Sequence, residues 1–302
     1  MRVVILTAIR FVGVTIVYLV TFVVVSGALL ATTAPPPAAE EAGATLLALL
    51  VVSVITAAVW SYVIRRSRWT GAKLIFAMVL VFYGVNTLMP QIETAYFVTR
   101  LPPGMLPRLF VAGAILAVVF VPLAVLILGK ARSQTTETAT RLQIHAGTLI
   151  PRLLLIVIAY VVIYFTFGHF VAWQSPAVRE YYGGGELVGF TTQMANVMRI
   201  EPGLFVLQAV RALLWAALAA PLVRMMKGEW WETGLAVALL FAATSVQLLL
   251  PNPLMPFEVR MAHLLETGTS NFLFGWLVAW LLGHLKPVQS GSGNPPRRGM
   301  PG

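Results

Sequence analysis

Long apolar runs, separated by short loops that carry most of the basic residues, set the limits on what this chain can fold into. Eight runs, at about 11–30, 44–64, 74–90, 109–129, 153–172, 203–223, 235–250 and 269–285, are long enough, or nearly so, to cross a hydrocarbon core of roughly 30 Å as helices. The seventh and eighth are short and need their flanking segments to complete them. Hydrophobic residues make up 59% of the chain and charged residues only 11%, far too little polar surface for a water-soluble domain. In a bilayer the backbone must satisfy its own hydrogen bonds, so the expected fold class is an all-α integral membrane protein.

The direction of threading follows from Arg and Lys. One set of loops and ends, including Arg65, Arg66, Arg68, Lys73, Lys130, Arg132, Arg152, Arg224 and Lys227, holds fourteen basic residues; the opposite set, Arg100, Arg108, Arg179, Arg199 and Arg260, holds five. This bias predicts a multi-pass protein of the inner or plasma membrane with both termini in the cytoplasm. Trp69, Trp173, Trp230 and Trp231 fall near the expected interfaces. The first run is too long for a typical signal-peptide core and is read as a span. Residues 288–302, rich in Ser, Gly, Pro and Arg, read as a disordered cytoplasmic tail.

The chain also says one thing twice. Asn86-Thr87-Leu88-Met89-Pro90 closes the third run and Asn252-Pro253-Leu254-Met255-Pro256 closes the seventh. Arg10, Ile16 and Tyr18 of the first run match Arg152, Ile158 and Tyr160 of the fifth at one offset, and Thr70-Gly71 matches Thr233-Gly234. Collinear matches at the same depth predict two four-helix repeats, residues 1–142 and 143–287, related in parallel by a pseudo-twofold axis along the membrane normal.

Polar chemistry concentrates after each proline. In 91–101, Glu93, Tyr96 and Arg100 share a helix face; in 257–266, Glu258 and Glu266 line one face with His263 beside it. Both segments read as short amphipathic helices at the outer interface, solvated or roofing a cavity between the halves. Arg211 lies eight residues into the sixth run, on one face with Gln208 and Trp215. An Arg this deep costs roughly 2.5–3.5 kcal/mol on insertion scales and belongs either in an ion pair, with Glu93, Glu258 or Glu266 as partner, or in a wet cavity. Its counterpart in the second run is Val52, so the charge is present in one half only. Asn271, preceded by Thr267, Thr269 and Ser270, reads as the start of the eighth span, where a positive helix end would also hold an anion. The outer loop 173–202, with three glycines at 183–185, reads as solvated, or as a gate.

The chain has no cysteine and no aspartate, which removes disulfides, thiolate sites and Asp-based Mg²⁺ sites. Four scattered histidines do not make a metal or haem motif, and no phosphate- or dinucleotide-binding signature is present. No cofactor and no nucleic-acid partner are expected; the net charge of +10 lies in loops between spans. Three functions compete. The first is a transporter, or a protein handling a lipid or small anionic ligand, with an outward-facing pocket lined by Arg211, Gln208, Glu93, Arg100, Glu258, His263, Glu266 and Asn271. The second is a non-catalytic subunit or anchor among other membrane subunits. The third is a membrane enzyme with an outer-face Glu/His acid–base site.

Overall fold

The computed structural model describes residues 2–30, 39–98, 101–132, 146–252 and 254–283, and these are almost wholly helical. The helices are α1 (Arg2–Leu29), α2 (Ala39–Arg66), α3 (Gly71–Tyr83), α4 (Met89–Phe97), α5 (Met105–Ile127), α6 (Ala146–Phe170), α7 (Pro176–Tyr181), α8 (Phe190–Ile200), α9 (Gly203–Met225), α10 (Trp230–Ala242) and α11 (Phe257–Gly283). Seven stretches are long and apolar enough to cross a membrane: α1, α2, α3 through α4, α5, α6, α9, and α10 with the turn at its C-terminal end. The expected eighth span falls in α11, which is long but begins with a charged, hydroxyl-rich half. The expected tail and Arg100 lie outside the described residues.

Two expected boundaries move. The segment after Pro90 is no separate interfacial helix: α3 runs into α4 through a single π-helical turn, Gly84–Leu88, where Asn86 Nδ2 donates to the Phe82 carbonyl at 3.2 Å. The segment after Pro256 is likewise continuous with the eighth run and forms the first part of α11. Asn271 therefore sits in mid-helix and caps nothing. The hydroxyls before it turn back onto their own helix, Thr267 to the His263 carbonyl at 2.6 Å and Thr269 to the Leu265 carbonyl at 2.6 Å, so no chain break is needed to satisfy them. The two Asn-x-Leu-Met-Pro segments adopt different backbones, π-helical turning α-helical in the first and a non-helical turn in the second, where the Leu254 amide donates to Asn252 Oδ1 at 2.8 Å. Thr70 stands at the N-cap position of α3, whereas Thr233 lies one turn inside α10.

The long helices form two groups. In one, α1 packs on α2 and α5, and α3 packs on α5; in the other, α6 packs on α9 and α11, and α10 packs on α11. Across the groups, α3 and the π turn touch α9, while α10 and the 3₁₀ turn after it (Ala243–Leu249) touch α2. Gln247 Nε2 donates to Asn86 Oδ1 at 3.4 Å, joining the two non-α turns. At the basic end, the loops after α2 and α9 pair through an antiparallel bridge, Ser67 with Met226. The Arg68 amide donates to the Met225 carbonyl (2.6 Å) and the Lys227 amide to the Arg66 carbonyl (2.8 Å). Arg66 also pairs with Glu232, which closes a capping box at the start of α10.

The core is aromatic. Tyr18, Phe120 and Phe82 stack in series (5.2 and 5.3 Å between ring centroids), and so do Tyr160, Phe274 and Phe241 (4.6 and 6.4 Å). Lipid tails are as apolar as these rings, so it is close fit rather than burial from water that holds the helices together. α11 meets α10 backbone to backbone: a Cβ at Gly275 would stand 2.9 Å from both Ala238 Cα and the Val237 carbonyl oxygen, both backbone atoms unable to yield cheaply. The outward faces are bare aliphatics such as Val4, Ile9, Ile16, Leu47 and Leu126, as a lipid solvent requires.

One elaboration departs from the sequence reading. The outer loop expected to be solvated is partly folded: α7 docks on α11 with Val178 and Val259 buried together, and Tyr181 donates to the Leu254 carbonyl at 2.8 Å, while the glycines at 183–185 lie in a non-helical, largely exposed stretch. α8 is amphipathic, with Phe190, Met194 and Val197 half-buried on one face and Thr191, Thr192 and Arg199 exposed on the other.

Substituting Gly275 by Val is expected to separate α10 from α11 and to destabilise the protein by about 1–3 kcal/mol, the usual cost of overpacking. Gly27→Ala, at a site with open space around it, should leave thermal unfolding in detergent unchanged; equal melting of both variants would contradict the packing described.

Candidate functional site

Polar side chains from five helices meet at the end opposite the basic loops. α9 is uninterrupted from Gly203, so Gln208, Arg211 and Trp215 lie on one face as the spacing requires, and all three are buried. Arg211 Nη1 donates to Glu93 Oε1 on α4 at 2.5 Å and to Gln208 Oε1 at 2.8 Å. Its guanidinium stands 5.6 Å from the Tyr160 ring centroid on α6, and Trp215 Nε1 donates to the Tyr160 hydroxyl at 3.3 Å. Of the three expected carboxylate partners, the structure pairs Arg211 with Glu93, which is the one that crosses between the helix groups.

Burial within the pair is uneven. The Arg211 side chain is 5% exposed and that of Glu93 is 32% exposed. The cation is thus sealed and the anion is the exposed member. Two donors remain without partners in this buried place, Arg211 Nε and Gln208 Nε2. Gln208 cannot relieve this by flipping its amide, because its oxygen is fixed by Arg211. An unmet buried donor costs about 1–3 kcal/mol, so two on one helix face mark a position where an acceptor is wanted.

A second polar group adjoins the first. His263 Nδ1 donates to Glu266 Oε2 at 2.8 Å, one turn along α11. A carboxylate only accepts, so this contact places the proton on Nδ1. The Tyr182 hydroxyl, at the end of α7, then donates to Nε2 at 3.2 Å. Burial pushes the Tyr182 phenol well up from its usual range, with Tyr181, Glu93 and Glu266 adding to the effect; it remains an O–H donor at any physiological pH. Glu93 lies within electrostatic reach of His263, and Tyr164 within reach of Glu93, Glu266 and Arg211. The cluster thus holds one fixed positive charge, Arg211, and two carboxylates, Glu93 and Glu266.

Of the residues singled out from sequence, Arg211, Gln208, Glu93, His263 and Glu266 come together here. Glu258 is exposed on the outside of α11, near Arg260. Asn271 is half-buried farther along the same helix, and Arg100 lies outside the described residues. Arg260 is engaged elsewhere, since its Nη1 donates to the carbonyls of Leu248 (2.9 Å) and Leu250 (2.5 Å) and so closes the end of the 3₁₀ turn. His169 and His263 are engaged separately, His169 with Gln193 on α8. No set of three metal-ligating side chains occurs among the described residues. Tyr160, Tyr164 and Tyr182 were missed as site residues. The i, i+4 spacing of Tyr160 and Tyr164, two hydroxyl-bearing rings on one face of an apolar helix, was the available signal; Tyr182 offered none, because its place depends on α7 folding back.

Comparison with protein-family models, with curated proteins and with solved structures finds no match for this chain.

The Arg211–Glu93 contact can be isolated by a double-mutant cycle. Arg211→Leu and Glu93→Leu are each expected to lower stability in detergent, and the double variant to lose less than their sum, with a coupling of about 1–2 kcal/mol. Strict additivity would show that the pair is not energetically joined.

Proposed function

We propose that this chain is a multi-pass membrane protein of transporter type, whose outward-facing site binds the anionic group of a small molecule or lipid. The observation that carries this reading is the pair of unpartnered donors, Arg211 Nε and Gln208 Nε2, buried beside a guanidinium whose carboxylate partner is half-open. A free carboxylate or phosphate oxygen suits both donors. Glu93 then serves as the internal stand-in that an entering anion displaces. The excess of Arg and Lys at the other end assigns that end to the cytoplasm and this site to the outer side.

Two further features support handling of a ligand over a purely architectural role. The helix crossing each group's face is interrupted, by a π turn at Gly84–Leu88 and by a 3₁₀ turn at Ala243–Leu249, and the two interruptions are hydrogen-bonded to one another. The π turn leaves α3 and α4 one continuous rod, and π turns recur at functional sites.

The same reading includes a duplicated architecture of 1–142 and 143–287. It is supported by the matching neighbour pattern of α1, α2, α3, α5 and α6, α9, α10, α11, and by the matching aromatic series. The reciprocal amide–carbonyl pair at 66–68 and 225–227 is what a twofold axis would produce. Tyr18 has Thr56 beside its hydroxyl where Tyr160 has Trp215, and positions 56 and 215 match at the offset that aligns Arg65 with Arg224. The first half has thus kept the fold and not the charge, which fits one site per chain.

The chain lacks cysteine, so Gln208→Cys gives a single reporter. In proteoliposomes it should react with a membrane-impermeant maleimide from the side opposite the basic loops. Adding Glu93→Ala should speed the reaction about tenfold, as loss of about 1.4 kcal/mol of closure implies. Reaction from neither side, with or without Glu93, would remove the outward-facing site.

A further inference from the structure

We infer that His263, held between Glu266 and Tyr182, is a proton-binding group whose charge is linked to occupancy of the Arg211–Gln208 site, so that an anion enters together with a proton. The inference rests on the reading of Arg211 and Gln208 as an anion site. With His263 neutral, the cluster has one positive charge against two carboxylates. A further anion would then sit in a low-dielectric pocket with a net negative surround, where like charges repel strongly. A proton on His263 removes that imbalance.

The geometry admits the proton without moving a helix. It adds to Nε2, the nitrogen that now accepts from the Tyr182 hydroxyl at 3.2 Å. The hydroxyl rotates and becomes the acceptor, and Nδ1 keeps its bond to Glu266 at 2.8 Å. Imidazolium is then held at both ends. The phenol's high proton affinity keeps it from giving up its own proton in exchange.

Other titratable groups do not stand in for His263. On α7, the Arg179 side chain is turned onto the Trp173 and Gln174 carbonyls, Glu180 is exposed and Tyr181 donates to Leu254. On α11, Glu258 is exposed and Arg260 is occupied by the 3₁₀ turn. α4 contributes Glu93, α6 contributes Tyr160 and Tyr164, and α9 contributes Arg211. Of these, Glu266 and the Tyr182 hydroxyl touch the imidazole and Glu93 lies within electrostatic reach of it, while Arg211, Tyr160 and Tyr164 interact with Glu93. Because binding linkage is reciprocal, whatever the proton adds to anion affinity the anion must add to proton affinity.

The test is a pH titration of the His263 ring by NMR, on full-length protein in detergent with isotope-labelled histidine, the signal being assigned by its loss in His263→Gln. His263 should titrate within about pH 5–8. Glu93→Gln should lower the midpoint and Arg211→Gln should raise it, each by about one pH unit. The double variant Glu93→Gln/Arg211→Gln keeps a neutral hydrogen-bonding pair and should return the midpoint close to native. Inorganic phosphate, as the probe anion, should raise the midpoint in native protein and not in Arg211→Gln. A midpoint that Glu93→Gln leaves unmoved, or a ring that does not titrate in this range, overturns the inference. Phosphate that binds through Arg211 and leaves the midpoint in place overturns the linkage and keeps the anion site. Phosphate that binds at no pH overturns the anion site, and the linkage with it.

Discussion

The contact between Arg211 and Glu93 is the one on which the rest of this structure turns. A guanidinium placed eight residues inside a lipid-embedded helix is admissible only if something neutralises it. Here the neutralising group comes from the other helix group, across the middle of the molecule. That single demand fixes much of what lies around it. α4 must follow α3 without a full break so that Glu93 reaches inward, and the π turn at Gly84–Leu88 supplies the change of facing that this takes. α6 must bring a ring rather than an aliphatic face to the guanidinium, and Tyr160 does so. α11 must run unbroken past the same depth, carrying His263 and Glu266 into the neighbourhood.

How much of this was legible in the sequence depends on whether a feature is local. The position and facing of Arg211, Gln208 and Trp215 were legible, because an uninterrupted helix converts i, i+3 and i+7 into one face whatever surrounds it. The choice of Glu93 over Glu258 and Glu266 was not, since all three sit at comparable depth and only the packing of α4 against α9 decides. The boundary at Asn271 was misplaced for a physical reason. A cluster of Thr and Ser reads as a helix start in water, but in an apolar setting those hydroxyls bond back to carbonyls of their own helix, as Thr267 and Thr269 do. The docking of α7, and with it the role of Tyr182, rests on a return of the chain that no short-range pattern encodes.

The internal matches divide in the same way. Tyr18 and Tyr160 occupy like surroundings, each against a phenylalanine of the fourth helix in its group. The pentapeptides that look most alike on paper take different backbones. Side chains that pack in the aromatic core resist change because every neighbour would have to adjust, whereas a connecting turn can be rebuilt. The two groups differ most at the segments that carry Glu93 in one and lead into His263 in the other.

The bridge between Ser67 and Met226 has a consequence for movement. It ties the two helix groups together by backbone bonds at one end, while at the other end they are joined by side chains, which can exchange partners. Parting the groups at the bridge would cost main-chain hydrogen bonds, whereas parting them around Arg211 and Glu93 would cost side-chain contacts alone.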